Sequence, residues 1–254
     1  MNHLQWNRKQ LLVAFALYTQ VPFGRLHARN PDIIKHAELI GRTPSALAMK
    51  LVNIASLDPV ITSTGRSGLK SASKADKAMW EEMNSDWEIF WKESQVAVDS
   101  VTGIDAKKTN AISDNQASYL ADDKMAFASV RHGQDSFRKA VLCAYNVQCC
   151  ITGIDNPKLL IASHIIPWAK DKKNRLNPCN GLSLSSLHDK AFDSGLLTIN
   201  EKFEVMLSKE LKNGKTAYNN SAFIGFEGCK IIMPEKFTPS QDLLEYHRSH
   251  IFTS

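Results

Sequence analysis

The stretch from residue 149 to residue 200 constrains this chain most, because polar residues with catalytic chemistry recur there at points where an ordinary apolar hairpin would not need them. An apolar run at residues 159–161 predicts a strand that leads into His164. A polar, basic loop follows and is closed by Asn180, and a helical segment then carries His188. The order of strand, loop and helix therefore groups a histidine, an asparagine and a second histidine around one loop.

The motifs in this stretch resemble the HNH endonuclease family, and specifically its restriction-endonuclease-like group. Members of the group show a Cys before Thr-Gly, an Ala/Ser-His-Ile-x-Pro-Trp segment, Asn-Gly-Leu, and Leu-His-x-x-Phe-Asp-x-Gly-Leu. In this chain the corresponding residues are Cys149, Thr152, Gly153, Ser163 to Trp168, Asn180 to Leu182, and Leu187 to Leu196. A Gly-Gln-x-x-Phe-Arg helix at residues 131–145 and a closing segment with a short strand at residues 230–233 extend the resemblance over about residues 131–254.

The resemblance implies a C-terminal HNH domain built on a ββα-metal unit. Together with the helical pattern of the N-terminal half, it predicts an α+β fold in which a helical, helix-turn-helix-like domain is followed by the HNH domain. In such a unit His164 is the general base, since an imidazole has a pKa near neutrality. Asn180 fixes the loop so that the imidazole points at the attacking water. His188, on the helix, binds the metal.

The metal shell departs from the family pattern at one position. Many members carry an Asp or His just before the base, whereas this chain has Ser163. Asp193 is a candidate for the missing oxygen ligand, because Mg²⁺ prefers carboxylates and keeps several waters. The alternative is that Asp193 has a structural role only and holds the helix against the loop. The expected cofactor is a divalent ion, Mg²⁺ with Mn²⁺ as the alternative.

The charge of the chain is distributed unevenly. The formal net charge is +5, but residues 1–75 hold ten Lys and Arg against three Asp and Glu, and residues 76–125 hold five against eleven. Basic surfaces attract polyanions, which makes double-stranded DNA a reasonable partner. Arg175 lies in the basic loop between His164 and Asn180, and phosphate positioning is its expected use.

Two short helices near the N-terminus form a candidate helix-turn-helix. Asn30-Pro31 and Thr43-Pro44 are helix starts, each with a capping side chain followed by proline. If the second helix entered a major groove, its candidate DNA contacts would be Arg42, Ser45 and Lys50. A plain helical hairpin is the alternative.

Two further segments complete the N-terminal half. A loop rich in Ser, Thr and Gly carries Arg66 and Lys70, which could follow phosphates or simply be solvated. Residues 76–95 predict a helix with an aromatic stripe that serves as core. These features divide the chain into a recognition domain at 1–97, a linker at 98–125 and a nuclease domain at 126–254.

Composition limits the remaining classes. The five cysteines are an odd number without a Cys-x-x-Cys pair, so we expect neither disulfides nor a structural zinc, and we expect a reducing cytoplasm. No apolar stretch approaches the roughly 20 residues that span a bilayer. The apolar run at residues 11–17 after two basic residues imitates a secretory signal, but it is short and lacks a convincing cleavage site.

The sequence thus predicts a cytoplasmic, metal-dependent DNA endonuclease, restriction-type and possibly modification-dependent. The alternatives are a DNA-binding regulator with an inactive HNH unit and a nonspecific nuclease toxin. Because one HNH motif cuts one strand at a time, we expect a homodimer on DNA, with residues 80–95 or the C-terminal helix as contact surfaces.

Overall fold

The computed structural model describes residues 5–63, 72–103 and 133–254. The chain divides into an N-terminal unit, Met1–Lys139, and a C-terminal unit, Ala140–Ser254. Helices build the described part of the N-terminal unit, and the C-terminal unit carries small antiparallel sheets with helices, which is an α+β arrangement. None of the helices in the described ranges combines the length and the apolar content of a membrane-spanning segment.

Six α-helices lie wholly within the described part of the N-terminal unit. They are α1 (Arg8–Gln20), α2 (Pro31–Leu39), α3 (Pro44–Ala55), α4 (Pro59–Ser63), α5 (Lys74–Ser85) and α6 (Trp87–Thr102). Helix α1 lies at the centre, in contact with α3, α5 and α6, and nine consecutive residues of it are buried. Its Phe15 packs edge-to-face on Phe90 of α6, with ring centroids 6.3 Å apart. The core is therefore built around α1.

The helix predicted over residues 76–95 is two helices, separated at Asp86. The extended backbone of Asp86 ends α5, and its side chain accepts a hydrogen bond from the Ile89 amide and so begins α6. Trp87 and Trp91 are buried, which confirms the prediction that this aromatic stripe is core. Helix α6 runs into the first residues of the predicted linker, and residues 104–125 of that linker lie outside the described residues.

The predicted starts of α2 and α3 are confirmed. The side chains of Asn30 and Thr43 cap the two helices, and each is followed by proline at the first helical position. Gly41 lies between the helices with a φ of +63°, in the left-handed region that favours glycine. The two helices and the turn are present, but a DNA-reading helix-turn-helix is not confirmed.

Two of the predicted DNA contacts have side chains that make polar contacts within the fold. Lys50 is 6% exposed, and its Nζ lies 2.7 Å from Oδ1 of Asp76. Arg42 donates to the carbonyl oxygen of Gln5 at 2.6 Å and to Oε1 of Gln10 at 3.0 Å. Ser45 is exposed in the first turn of α3, while Arg66 and Lys70 lie outside the described residues.

Helix α7, at residues 133–144, spans the point at which the two units divide. Strands β1 (Leu160–His164) and β2 (Gly181–Ser185) pair antiparallel and lead into α8 (Ser186–Asp193). A second antiparallel pair joins β3 (Leu197–Ile199) and β4 (Val205–Leu207). Three helices complete the unit: α9 (Lys209–Lys212), α10 (Ala217–Ala222) and α11 (Gln241–His250). The strand predicted at residues 230–233 is reduced to one bridge between Lys230 and Glu204.

Gly195 joins the end of α8 to the last residues of the chain. Its φ of +71° favours glycine, and a Cβ at this position would lie 2.1 Å from the carbonyl oxygen of Ile251. The amide of Thr253 donates to the carbonyl oxygen of Gly195 at 2.9 Å. The absence of a side chain therefore allows the segment after α11 to pack against the end of α8.

The buried ion pair in the N-terminal unit gives a stability prediction. Lys50→Ala would leave the buried carboxylate of Asp76 without its cation, and breaking such a pair costs about 3–5 kcal/mol. We expect a matching loss in the free energy of unfolding, measured by denaturant titration with tryptophan fluorescence. Lys77→Ala on exposed α5 surface is the matched control. Equal stability of the two variants would contradict this account of Lys50.

Candidate active site

The first hairpin and α8 form a continuous strand–strand–helix unit. His164 pairs with Gly181 across the two strands, so the last residue of β1 lies opposite the first residue of β2. Ser185 ends β2, and its side chain accepts a hydrogen bond from the His188 amide and thereby caps α8. This is the ββα arrangement that the sequence predicts. It brings the first histidine, the loop and the helix into one neighbourhood.

Asn180 fixes the loop between the strands. It is fully buried, and its Oδ1 accepts from the Ile166 amide at 2.8 Å. Its Nδ2 donates to the carbonyl oxygens of Ile166 at 3.2 Å and Asn174 at 3.3 Å. One amide side chain thus connects the beginning of the loop with its later part, which is the geometry expected for this residue.

His164 is held in one orientation by the same loop. Its Nε2 lies 2.9 Å from the carbonyl oxygen of Arg175. Because a carbonyl oxygen only accepts, Nε2 carries the proton, and Nδ1 is the basic nitrogen of the neutral ring. Burial lowers the pKa of His164, although the Arg175 carbonyl and the charge of Asp189 both act to raise it. The imidazole is therefore neutral near pH 7.

Trp168 joins His164 to the side chain of Arg175. The rings of His164 and Trp168 meet edge-to-face, with centroids 5.5 Å apart. The guanidinium carbon of Arg175 lies 5.0 Å from the centre of the Trp168 ring, within the range of a cation–π contact. Arg175 thus supports the base through its carbonyl group while its charged group lies against the neighbouring indole.

His164 opens into a cavity of about 400 Å³. The cavity is bounded by the end of β1 and the residues after it, by α8 and by α11. Its lining residues are Ile161, Ala162, Ser163, His164, Pro167, Trp168, Asp189, Asp193, His247 and Ile251. Asp189 and Asp193 are four residues apart on α8, so both lie on the same face of that helix. The cavity is therefore lined by two imidazoles, those of His164 and His247, and by two carboxylates.

His188 lies outside this cavity, and the predicted metal-ligand role does not fit its position. Its Nδ1 lies 2.8 Å from Oγ of Ser185, and its Nε2 lies 2.9 Å from the carbonyl oxygen of Ala222. The ring also packs against Phe223 and Phe226. Both nitrogens that could bind a metal are used in hydrogen bonds within the fold. His188 joins α8 to the end of α10.

The two aspartates of the cavity disfavour each other's charge. Burial raises the pKa of Asp189, and the nearby Ser163, Lys190 and His164 partly oppose that rise. Burial and the charge of Asp189 raise the pKa of Asp193, and Lys190 opposes the rise. A cation placed between two such carboxylates would relieve both effects.

The donor atoms fit a hard divalent cation. Oγ of Ser163 is buried and has no partner at normal hydrogen-bond geometry. It nevertheless lies close enough to Asp189 to lower the pKa of that carboxyl. Two carboxylates and one hydroxyl suit Mg²⁺ or Mn²⁺, which favour oxygen ligands and retain waters. Among the described residues, no group of three or more His, Cys, Asp or Glu side chains is arranged to hold a metal. Water and substrate oxygens would therefore supply most of the shell.

Asp189 is the residue that the sequence analysis missed. It directly follows His188, and one residue on a helix turns the side chain by about 100°. Its separation of four residues from Asp193 was a usable signal, because that spacing places two carboxylates on one helical face. His188 is five residues from Asp193 and lies on another face.

Comparison with known proteins supports the interpretation of this strand–strand–helix unit as part of a nuclease domain. Residues 149–200 match the family model of the HNH endonucleases. The matched segment contains β1, β2, α8 and β3, and with them the His164 and Asp189 side of the cavity. Comparison with curated proteins gave no match. The match supports the resemblance to HNH endonucleases and indicates a nuclease domain in the C-terminal unit.

His247, at the α11 side of the cavity, gives a prediction about pH and stability. Its Nε2–H donates to the carbonyl oxygen of Phe192 at 3.1 Å, its Nδ1 lies 2.9 Å from Oγ1 of Thr198, and burial lowers its pKa from 6.5 to about 4. The unfolded chain binds this proton more readily, so stability falls as the pH falls from 6.5 to about 4. The shift corresponds to about 3 kcal/mol.

Urea unfolding of the C-terminal transition at pH 7 and at about pH 4 measures this loss. His247→Gln should be less stable at pH 7 and should show a flatter dependence on pH. Because burial also lowers the pKa values of His164 and His188, part of the dependence should persist in the variant. An unchanged slope in His247→Gln would contradict the assignment.

Proposed function

We propose that this protein is a metal-dependent DNA endonuclease of the restriction type, which hydrolyses phosphodiester bonds in the cytoplasm. One observation carries the proposal: His164, with its proton held at Nε2 by the Arg175 carbonyl, shares a cavity with Asp189 and Asp193. The match of residues 149–200 to HNH endonucleases supports the same reaction class.

His164 is the proposed general base. Its neutral ring at pH 7 has Nδ1 as the proton acceptor, so it can take a proton from the water that attacks phosphorus. As the ring becomes an imidazolium, its Nε2–H bond to the Arg175 carbonyl strengthens, because a charged donor makes a stronger hydrogen bond. Asn180 keeps the loop in place and thus keeps that carbonyl at the ring.

Asp189 and Asp193 are the proposed holders of the metal ion. When bound, a divalent cation supplies positive charge that stabilises the developing negative charge on the phosphate and on the leaving oxygen. The two carboxylates replace His188 in this assignment, because they line the cavity and His188 does not. Ser163 offers a neutral oxygen beside Asp189, at the position where many family members have an Asp or His.

The loop between His164 and Asn180 is the best-supported DNA contact. Its Lys170, Lys172 and Lys173 are exposed, and Arg175 lies against Trp168 beside the base. Asp171 accepts hydrogen bonds from the amides of Lys173 and Asn174, both at 3.1 Å, which orders the loop. Cations on an ordered loop next to the base can position a phosphate over the cavity.

Replacement of the base tests the reaction. His164→Ala should reduce cleavage of plasmid DNA by about 100-fold or more, because general-base catalysis contributes about 10²–10⁴-fold. Binding of DNA, measured by gel shift without metal, should persist because the cations of the loop remain. His36→Ala, at a half-buried position on α2, is the matched control. Cleavage by His164→Ala within tenfold of the unchanged protein would remove His164 from the mechanism. If the unchanged protein binds DNA but never cleaves it, the alternative of a DNA-binding regulator with an inactive HNH unit is favoured.

Paired substitutions on α8 test the metal assignment. Asp189→Asn should raise the Mn²⁺ concentration needed for half-maximal cleavage and weaken Mn²⁺ binding by about tenfold or more in calorimetry, because a carboxylate ligand becomes neutral. His188→Gln, with an amide that can still donate and accept, should change Mn²⁺ binding little. The opposite result, with His188→Gln abolishing Mn²⁺ binding and Asp189→Asn preserving it, would restore His188 as the ligand.

A further inference from the structure

Helix α6 presents an apolar face that the described N-terminal unit leaves exposed. Ile89 is 55% exposed and Val96 is 64% exposed, and the seven residues between them place both on one side of the helix. A shallow groove of about 540 Å³ continues this face between α1 and α6. Apolar surface that continues from exposed side chains into a groove is a candidate contact surface.

The charges on this face are arranged around Val96. Lys92 lies four residues before it and Asp99 lies three residues after it, so both share the side of α6 that carries Val96. The side chain of Lys92 is 60% exposed, and its Nζ also lies 2.6 Å from Oε1 of Glu88 on the same helix. If two copies of α6 cross antiparallel at Val96, each Lys92 comes opposite the Asp99 of the partner. The face is thus complementary to itself under a two-fold rotation.

We propose that the α6 face, Ile89, Lys92, Val96 and Asp99, is a self-association surface that pairs two copies of this chain across a two-fold axis. An isologous contact of this kind uses the same patch on both subunits. The proposed association does not depend on the proposed function, but its purpose rests on that function. A two-fold axis would supply the second active site that cutting the antiparallel strand requires.

The size of the face sets the strength of this contact. An α-helix of 16 residues is about 24 Å long, and one such helix buries less than the roughly 800 Å² per partner of a standard stable interface. The contact belongs to the weak, reversible class, with a dissociation constant on the order of 10–100 µM. DNA that binds two copies at neighbouring positions would raise their effective concentration and favour the pair.

Sedimentation of the full chain, without metal or DNA, tests the surface directly. The unchanged protein should shift from monomer to dimer as its concentration rises through this range. Val96→Glu should raise the dissociation constant at least tenfold, while Met49→Glu, at a 56% exposed position on α3, should leave it unchanged. A monomer at every concentration, or equal loss in both variants, would overturn the proposal.

Charge reversal tests the two-fold geometry. Lys92→Glu and Asp99→Lys should each weaken the dimer, because each places like charges opposite one another, and the double variant should restore it. Circular dichroism checks that the helix content is unchanged. A double variant as weak as the single variants would overturn the antiparallel pairing. Since no step of this test involves cleavage, an inactive protein that dimerises would refute only the proposed function.

Discussion

The candidate site depends on the buried amide of Asn180. A loop of this length between two short strands has many conformations, and closing it costs conformational entropy. The side chain of Asn180 offsets that cost with three hydrogen bonds to the backbone, at Ile166 and Asn174. The carbonyl group that holds His164 belongs to the same loop. The orientation of the proposed base is therefore set by a residue that has no need to touch the substrate.

The sequence was most informative where a local interaction determines the structure. Asn30 and Thr43 begin their helices through hydrogen bonds to amides two or three residues away, so the sequence contains both partners. The same is true of the ββα unit, whose strands and helix follow each other with one loop between them. His164 could be placed at the end of β1 for this reason.

The sequence was least informative where one residue changes the face of an element. His188 and Asp189 are neighbours in the sequence, but His188 packs within the fold and Asp189 lines the cavity. Which of the two faces the cavity depends on how α8 packs against β1 and α10. Lys50 is a comparable case, because its charge indicated a surface contact while Asp76 lies 26 positions along the chain. Such outcomes depend on tertiary packing, which a periodicity within one segment does not contain.

The pair of carboxylates on α8 also has a consequence for folding. Asp189 and Asp193 are partly desolvated and repel each other in the folded chain, whereas in the unfolded chain both are hydrated and further apart. A cation that binds only the folded arrangement stabilises it by mass action. The ion proposed for the reaction would then also be a folding ligand, and the C-terminal unit would tolerate heat better in its presence.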